Sequence, residues 1–378
     1  MFIVLLTLPA TGQVTNFYSK STGNLNALST WGTNTDGSGT SPANFTNSNQ
    51  AFNIRNNPVA TIGADWTVSG SNSQVVIDAG ITFATGPHTY NAGGATIVNG
   101  SFRIDQSGGA TGNPFSYGAS GTLIFNTTSG WYGVGTASVF WPSTNGPVNV
   151  TVTGNGGNIE MQTTRTVTGL FQTSGGVRNS GTGNDLIISG TLQLNQNGNF
   201  SGFSPTYTNT STLVYNVHGQ ISQGNEWGTG STVGYGVPQN VTIQNHTRLD
   251  MLPTYIALPG NLLLSGAGDT LAAYPNTTDI YIGGNWTRND SAVYFAQGGG
   301  IFFQGTTDQI ITAPGGQVFD YIGINNYGAN VVLNCNVTVT TMIFFTNGHI
   351  VTGADTVSLG SGGQTTVGFA PGRGRTGW

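Results

Sequence analysis

Short apolar runs alternate with clusters of Gly, Asn, Ser and Thr along nearly the whole chain. Within the runs, apolar residues fall at every second position. Val241/Ile243, Leu249/Met251, Leu262/Leu264, Ile280/Ile282, Val293/Phe295, Ile301/Phe303, Val337/Val339, Ile343/Phe345 and Val357/Leu359 all read this way. A period of two turns one row of side chains inward and the other toward water, as in half-buried strands. Gly-Asn, Asn-Gly and Ser-Gly pairs between the runs let the chain turn sharply. No segment joins helical periodicity to good helix formers over a useful length. The pattern predicts an all-β chain.

A longer repeat lies over this rhythm. Gly121-Thr122-Leu123-Ile124-Phe125-Asn126, Trp141-Pro142 and Pro147-Val148-Asn149-Val150-Thr151-Val152 are echoed by Ser211-Thr212-Leu213-Val214-Tyr215-Asn216, Glu226-Trp227 and Pro238-Gln239-Asn240-Val241-Thr242-Ile243. A looser third echo starts at Gly300-Ile301-Phe302-Phe303-Gln304 and runs on to Phe319-Asp320-Tyr321-Ile322-Gly323-Ile324. These echoes place repeat units near 121–210, 211–298 and 299–378, within a repeat-bearing solenoid over 119–378. Sandwiches also alternate, but one of this length would be unusually large, whereas a solenoid grows by stacking. The expected fold is a right-handed parallel β-helix with Leu123, Val150, Leu213, Val241, Ile243, Ile322 and Ile324 inward. Residues 13–118, with Trp31, Phe45 and Phe52 in a Gly/Pro-rich leader, are expected to form an N-terminal cap and the first rungs. The strand rhythm starts at Trp66.

Composition narrows the function classes. Charged residues are 6% of the chain, against about 25% in ordinary soluble proteins. Lys20 is the only lysine and net charge is −5. Phosphate and anionic lipid surfaces are bound by clustered cations, so neither nucleic acid nor a polybasic membrane contact is expected. The apolar stretch Phe2–Leu8, followed by small residues Ala10 and Gly12, resembles the end of a signal peptide, with cleavage between Gly12 and Gln13. Residues 1–12 are accordingly read as a signal-peptide remnant, too short for a membrane span. A buried first strand is the alternative. The lone Cys335 allows no internal disulfide and reads as a small core residue.

Tyr18-Ser19-Lys20, Trp31-Gly32-Thr33 through Pro42, Trp66-Thr67-Val68-Ser69-Gly70, and the two repeated blocks resemble the large β-helical surface proteins that Bacteroidota export by type IX secretion. The resemblance spans the chain in pattern rather than identity. It implies secretion to the cell surface and a β-helical fold, and no chemistry. It also brings in that group's O-glycosylation pattern, Asp followed by Ser or Thr and a small or aliphatic residue. Thr270, Ser291 and Thr356 match it, with ordinary Asx-turns as the alternative.

Catalytic signals are weak. The two glutamates, Glu160 and Glu226, are far apart in sequence, and the aspartates sit in turn-like contexts such as Asp36, Asp78 and Asp185. His88, His218, His246 and His349 lack metal-ligand spacing. Asn34–Ser38 is half a calcium loop at most, and a turn is the simpler reading. The pairs Thr151/Thr153, Thr166/Thr168 and Thr338/Thr340 are similar to ice-binding rows, yet Thr is also a favoured strand residue. No catalytic residue, metal or cofactor is expected. Trp131-Tyr132, Trp141 and Trp227 either stack on sugars or cover the solenoid. The expected function is a non-enzymatic extracellular structural or adhesive protein that self-associates and contacts surface glycans. A carbohydrate-binding or carbohydrate-active β-helix is the alternative.

Overall fold

The computed structural model describes residues 13–154, 156–180, 186–289 and 291–367. Parallel strands stack into a β-solenoid of about 15 turns, with a single 3-10 turn, Leu28–Thr30, as helical structure among the described residues. Two compact units are distinguished. The smaller runs up to Thr128 and includes Thr136–Val150; the larger comprises Ser129–Gly135 and Thr151 onward.

In the smaller unit, Thr15–Ser19 already pairs in parallel with Gln50–Ile54, which pairs with Gln74–Ile77. Parallel stacking thus begins well before Trp66, and residues 20–49 are an insertion between the first two rungs. Within it, Trp31–Gly32 pairs antiparallel with Thr15–Ser19 at the edge of the sheet. A strand of reversed direction, only two residues long, blunts an edge that would otherwise template further pairing. The insertion is fastened by Trp31, which is fully buried, donates its indole N–H to the Leu25 carbonyl (2.8 Å) and packs on Phe52 and Trp66.

Each full rung of the larger unit has three strands, one per face. On the first face Leu192, Leu213, Val241, Leu262, Trp286, Ile311 and Leu333 stand over one another. On the third face the stack is Ile256, Ile280, Ile301, Ile322 and Ile343. Every one of these side chains is buried. Burial of each large apolar side chain contributes roughly 1.5–3 kcal/mol, and this continuous column is what holds the rungs together. The seven side chains expected to point inward all do, with at most 1% exposure.

Outside, amides form a ladder in step with the rungs. Gln244 Nε2 donates to Asn216 Oδ1 (3.2 Å), and Asn216 Nδ2 donates to Asn195 Oδ1 (2.8 Å). The first link joins residues 28 apart and the second residues 21 apart. The longer rung carries the extra loop 223–239. In it Trp227, fully buried, fills core space where neighbouring rungs have a third strand.

Two expectations change. Val293 and Phe295 face outward and Tyr294 inward, because Leu249, Leu271 and Tyr294 share one register and Tyr294 packs on Trp286 (4.9 Å) and Phe319 (6.0 Å). The third echo also changes face: Leu213 belongs to the first face, whereas Ile301 lies in the third-face column.

Candidate functional site

Where Ile256, Ile280, Ile301, Ile322 and Ile343 point inward, their neighbours in the same strands must point out. Those neighbours include Tyr255, Tyr281, Phe302, Tyr321 and Phe344, an aromatic row on the outside of the third face. Tyr255 meets Tyr281 edge-on (6.4 Å), Tyr281 stacks on Phe302 (5.1 Å, 20°), and Phe344 stacks on Tyr321 (6.3 Å, 17°). Phe302 is only 1% exposed although it sits on an outer face. The backbone makes room for it. A Cβ added at Gly323 would lie 2.1 Å from the Phe302 ring, and one at Gly300 would lie 2.6 Å away. The ring therefore lies against two glycines while Tyr281 and Phe344 flank it. Gly323→Ala is expected to cost about 1–3 kcal/mol by overpacking, and much less in a Phe302→Ala background. A double-mutant cycle by chemical denaturation checks this; additive costs would show that the two positions do not touch.

The row begins beside a cleft of about 500 Å³ lined by Gln223, Asn225, Trp227, Tyr235, Leu252 and Thr254. Thr254 adjoins Tyr255, so the cleft and the row share an edge. Tyr235 and Leu252 are each nearly half exposed, and the Tyr235 hydroxyl accepts the Ser204 N–H (3.1 Å). Gln223 braces the cleft by donating to the Trp227 carbonyl (2.5 Å) and accepting the Leu252 N–H (3.1 Å).

Behind the cleft lies Glu226, 1% exposed. Its Oε1 accepts from the Tyr215 hydroxyl (2.8 Å) and the Gly224 N–H (2.7 Å), while the Tyr207 hydroxyl donates to its carbonyl (2.7 Å). Burial pushes the carboxyl above its ordinary range, partly offset by these donors. The smaller unit has the same plan in apolar form. Tyr117 donates to the Phe140 carbonyl (2.5 Å), and Phe140 packs on Phe125 (6.1 Å). Glu226 and Tyr215 thus stand where Phe140 and Phe125 stand, as the repeat spacing implied.

The sugar-stacking candidates read from sequence separate. Trp141 and Trp227 are fully buried core residues, so neither can receive a ligand ring. Trp131 is 42% exposed, but the Arg178 guanidinium lies 4.6 Å over its ring and is ion-paired to Glu160 (2.6 Å). The tyrosine row was missed, because only the rung register reveals that Tyr255, Tyr281 and Tyr321 are neighbours.

Of the positions singled out for processing, Gly12 lies outside the described residues and Gln13 is exposed. Thr270 is half-buried, and Ser291 and Thr356 are exposed. All three precede or open strands that follow the same corner, Thr270–Ala272, Val293–Phe295 and Val357–Leu359, away from the aromatic row. Asp269 is buried and accepts the Thr247 and Gly266 N–H groups; Asp290 lies outside the described residues. The Thr356 hydroxyl donates to Asn336 Oδ1 (3.0 Å).

Asn34–Ser38 closes on itself as a turn, its Asp36 carboxylate accepting the Ser38 N–H and hydroxyl. The Thr pairs fall on different faces and form no common row. His218 and His246 meet edge-on at 5.4 Å, and no group of three metal-ligating side chains occurs among the described residues. Cys335 is buried, as a core residue should be. No described helix is long and apolar enough to cross a membrane. No protein family, curated protein or solved structure matches the chain.

Proposed function

We propose that this is a secreted, non-enzymatic adhesive protein of the cell surface, in which the solenoid is a stiff scaffold and the tyrosine-bearing third face contacts glycans. The observation that carries the reading is the cleft of Tyr235 and Leu252 opening onto the outward row that starts at Tyr255. Rings with polar edges, surrounded by amides and hydroxyls and few charges, suit a sugar, which has apolar faces and a hydroxyl rim. Both glutamates are already engaged, Glu160 with Arg178 and Glu226 within the core, which supports binding over hydrolysis. The resemblance to type IX cargo fits an extracellular setting. Sugars on Thr270, Ser291 and Thr356 would hydrate a corner away from the binding face.

Self-association is the second reading, and its side-by-side form would use the same face. End-to-end stacking is hindered where Trp31–Gly32 reverses strand direction. Retention on insoluble polysaccharides tests the proposal. The Tyr235→Ala/Tyr255→Ala double variant is expected to lose most of the retention of the parent chain, whereas Trp131→Ala should keep it. A parent chain that passes through every polysaccharide tested, or a double variant retained as well as the parent, would refute the proposal.

A further inference from the structure

We propose that the third face takes an extended, uncharged polysaccharide chain lengthwise, across the cleft and the aromatic row, rather than the tip of a glycan. The inference rests on the adhesive reading above and adds the class of ligand. Its first support is length. Tyr255, Tyr281, Phe302, Tyr321 and Phe344 occupy five successive rungs. Stacked strands are about 4.8 Å apart, so the row extends roughly 19 Å beyond the cleft. A monosaccharide would touch one or two rings of that row, whereas a chain would reach the four that are not buried, Tyr255, Tyr281, Tyr321 and Phe344.

The second support is charge. Between the rings, the outward positions of the same strands hold Asp279, Gly300, Met342 and Gln364. Asp279 is 8% exposed and its carboxylate accepts the Gly300 N–H (2.9 Å). Arg288, an arginine of these same rungs, spends its guanidinium on the carbonyls of Ala292, Pro314 and Gly316. An acidic polymer would approach the Asp279 carboxylate and, among the described residues of these strands, no cation set to receive it. A neutral chain meets no such penalty.

The third support is chemistry at the ring edges. Tyr255, Tyr281 and Tyr321 carry hydroxyls, and Gln223 and Asn225 bring amides to the cleft end. Apolar faces with hydrogen-bonding rims are what successive pyranose rings require.

Titration calorimetry with the full chain tests the proposal, using neutral (1→4)-linked gluco- and xylo-oligosaccharides from disaccharide to octasaccharide, with polygalacturonate as the acidic comparison. Affinity is expected to climb with chain length. Tyr321→Ala, three rungs from Tyr255, should weaken the octasaccharide roughly two- to tenfold, the worth of one aromatic contact, and leave the disaccharide unchanged. Tyr321→Phe, which keeps the ring, should restore most of that loss and controls for folding. Equal affinity for short and long sugars, indifferent to Tyr321→Ala, would overturn the lengthwise proposal and leave adhesion standing. Preference for polygalacturonate would overturn it as well. Absence of binding to every neutral sugar would remove both readings. So would light scattering that shows a dimer dispersed by Tyr321→Ala, since the face would then be an interface between copies.

Discussion

Trp286→Ala is expected to destabilise the larger unit by about 3–5 kcal/mol, the usual cost of emptying a fully buried aromatic site. Trp286 stands in the first-face column between Leu262 and Ile311 and is fully buried. Its ring packs edge-on against Tyr294 (4.9 Å) and Phe319 (5.3 Å), and its indole N–H donates to Gln317 Oε1 (3.2 Å). Alanine would leave a cavity between three rungs and take a donor from a buried Gln317. Stacked rungs depend mainly on their neighbours, so the damage should stay local. Hydrogen exchange should quicken first at Leu262–Leu264 and Gln309–Thr312, with Leu170–Thr173 protected as before. Trp131→Ala, at an exposed site, should cost under about 1 kcal/mol. Uniform exchange along the unit, or equal costs for the two tryptophans, would contradict the picture of a locally held core.

The same column shows why much of the fold was legible in the sequence. Leu213, Val241 and Ile243 sit in short alternating runs bounded by turn residues, and a period of two survives any change in loop length. The aliphatic core therefore shows through. Two features of the fold did not. The phase at Val293–Phe295 was ambiguous because all three residues are apolar or aromatic, and only pairing with Leu271 sets Tyr294 inward. The third echo shifted face because rungs vary, one link spanning 28 residues and another 21. A repeat counted along the chain cannot tell a long rung from a changed face.

The candidate site was hidden for a related reason. Tyr255, Tyr281 and Tyr321 fall at uneven sequence intervals and become a row only when their strands are stacked. Trp141 and Trp227 misled in the opposite direction, since turn-rich surroundings made them look exposed. They are the plugs of rungs whose loops depart from the three-strand plan. Large aromatics beside Gly and Pro serve equally as plugs or platforms, and neighbours in space decide which.

Glu226 is the position where one repeat exchanged an apolar plug contact for a polar one, and a pH dependence should follow. Burial raises its carboxyl above the ordinary value of 4.5, and the chief donors are Tyr215 and the Gly224 N–H, with no cation among them. In the unfolded chain the group ionises near its ordinary value. Above that pH the folded state holds the proton more tightly than the unfolded state does, so stability falls as pH rises. The decline should begin as pH passes the ordinary glutamate value and level off above the raised folded one. For a single proton its slope cannot exceed about 1.4 kcal/mol per pH unit. Glu160 works in the opposite sense and at lower pH, because the hydrogen bond from Arg178 holds its carboxyl down. The difference between parent and variant isolates Glu226. Glu226→Gln keeps an acceptor for Tyr215 and the Gly224 N–H and cannot ionise. It is expected to remove the decline, so that the variant gains on the parent as pH rises above the ordinary glutamate value. Tyr215→Phe should sharpen the decline, because the carboxylate then loses its hydroxyl donor. Urea midpoints measured from pH 4 to pH 8 check both. If parent and Glu226→Gln chains trace parallel curves, Glu226 does not titrate against the core, and its burial carries no linkage to folding.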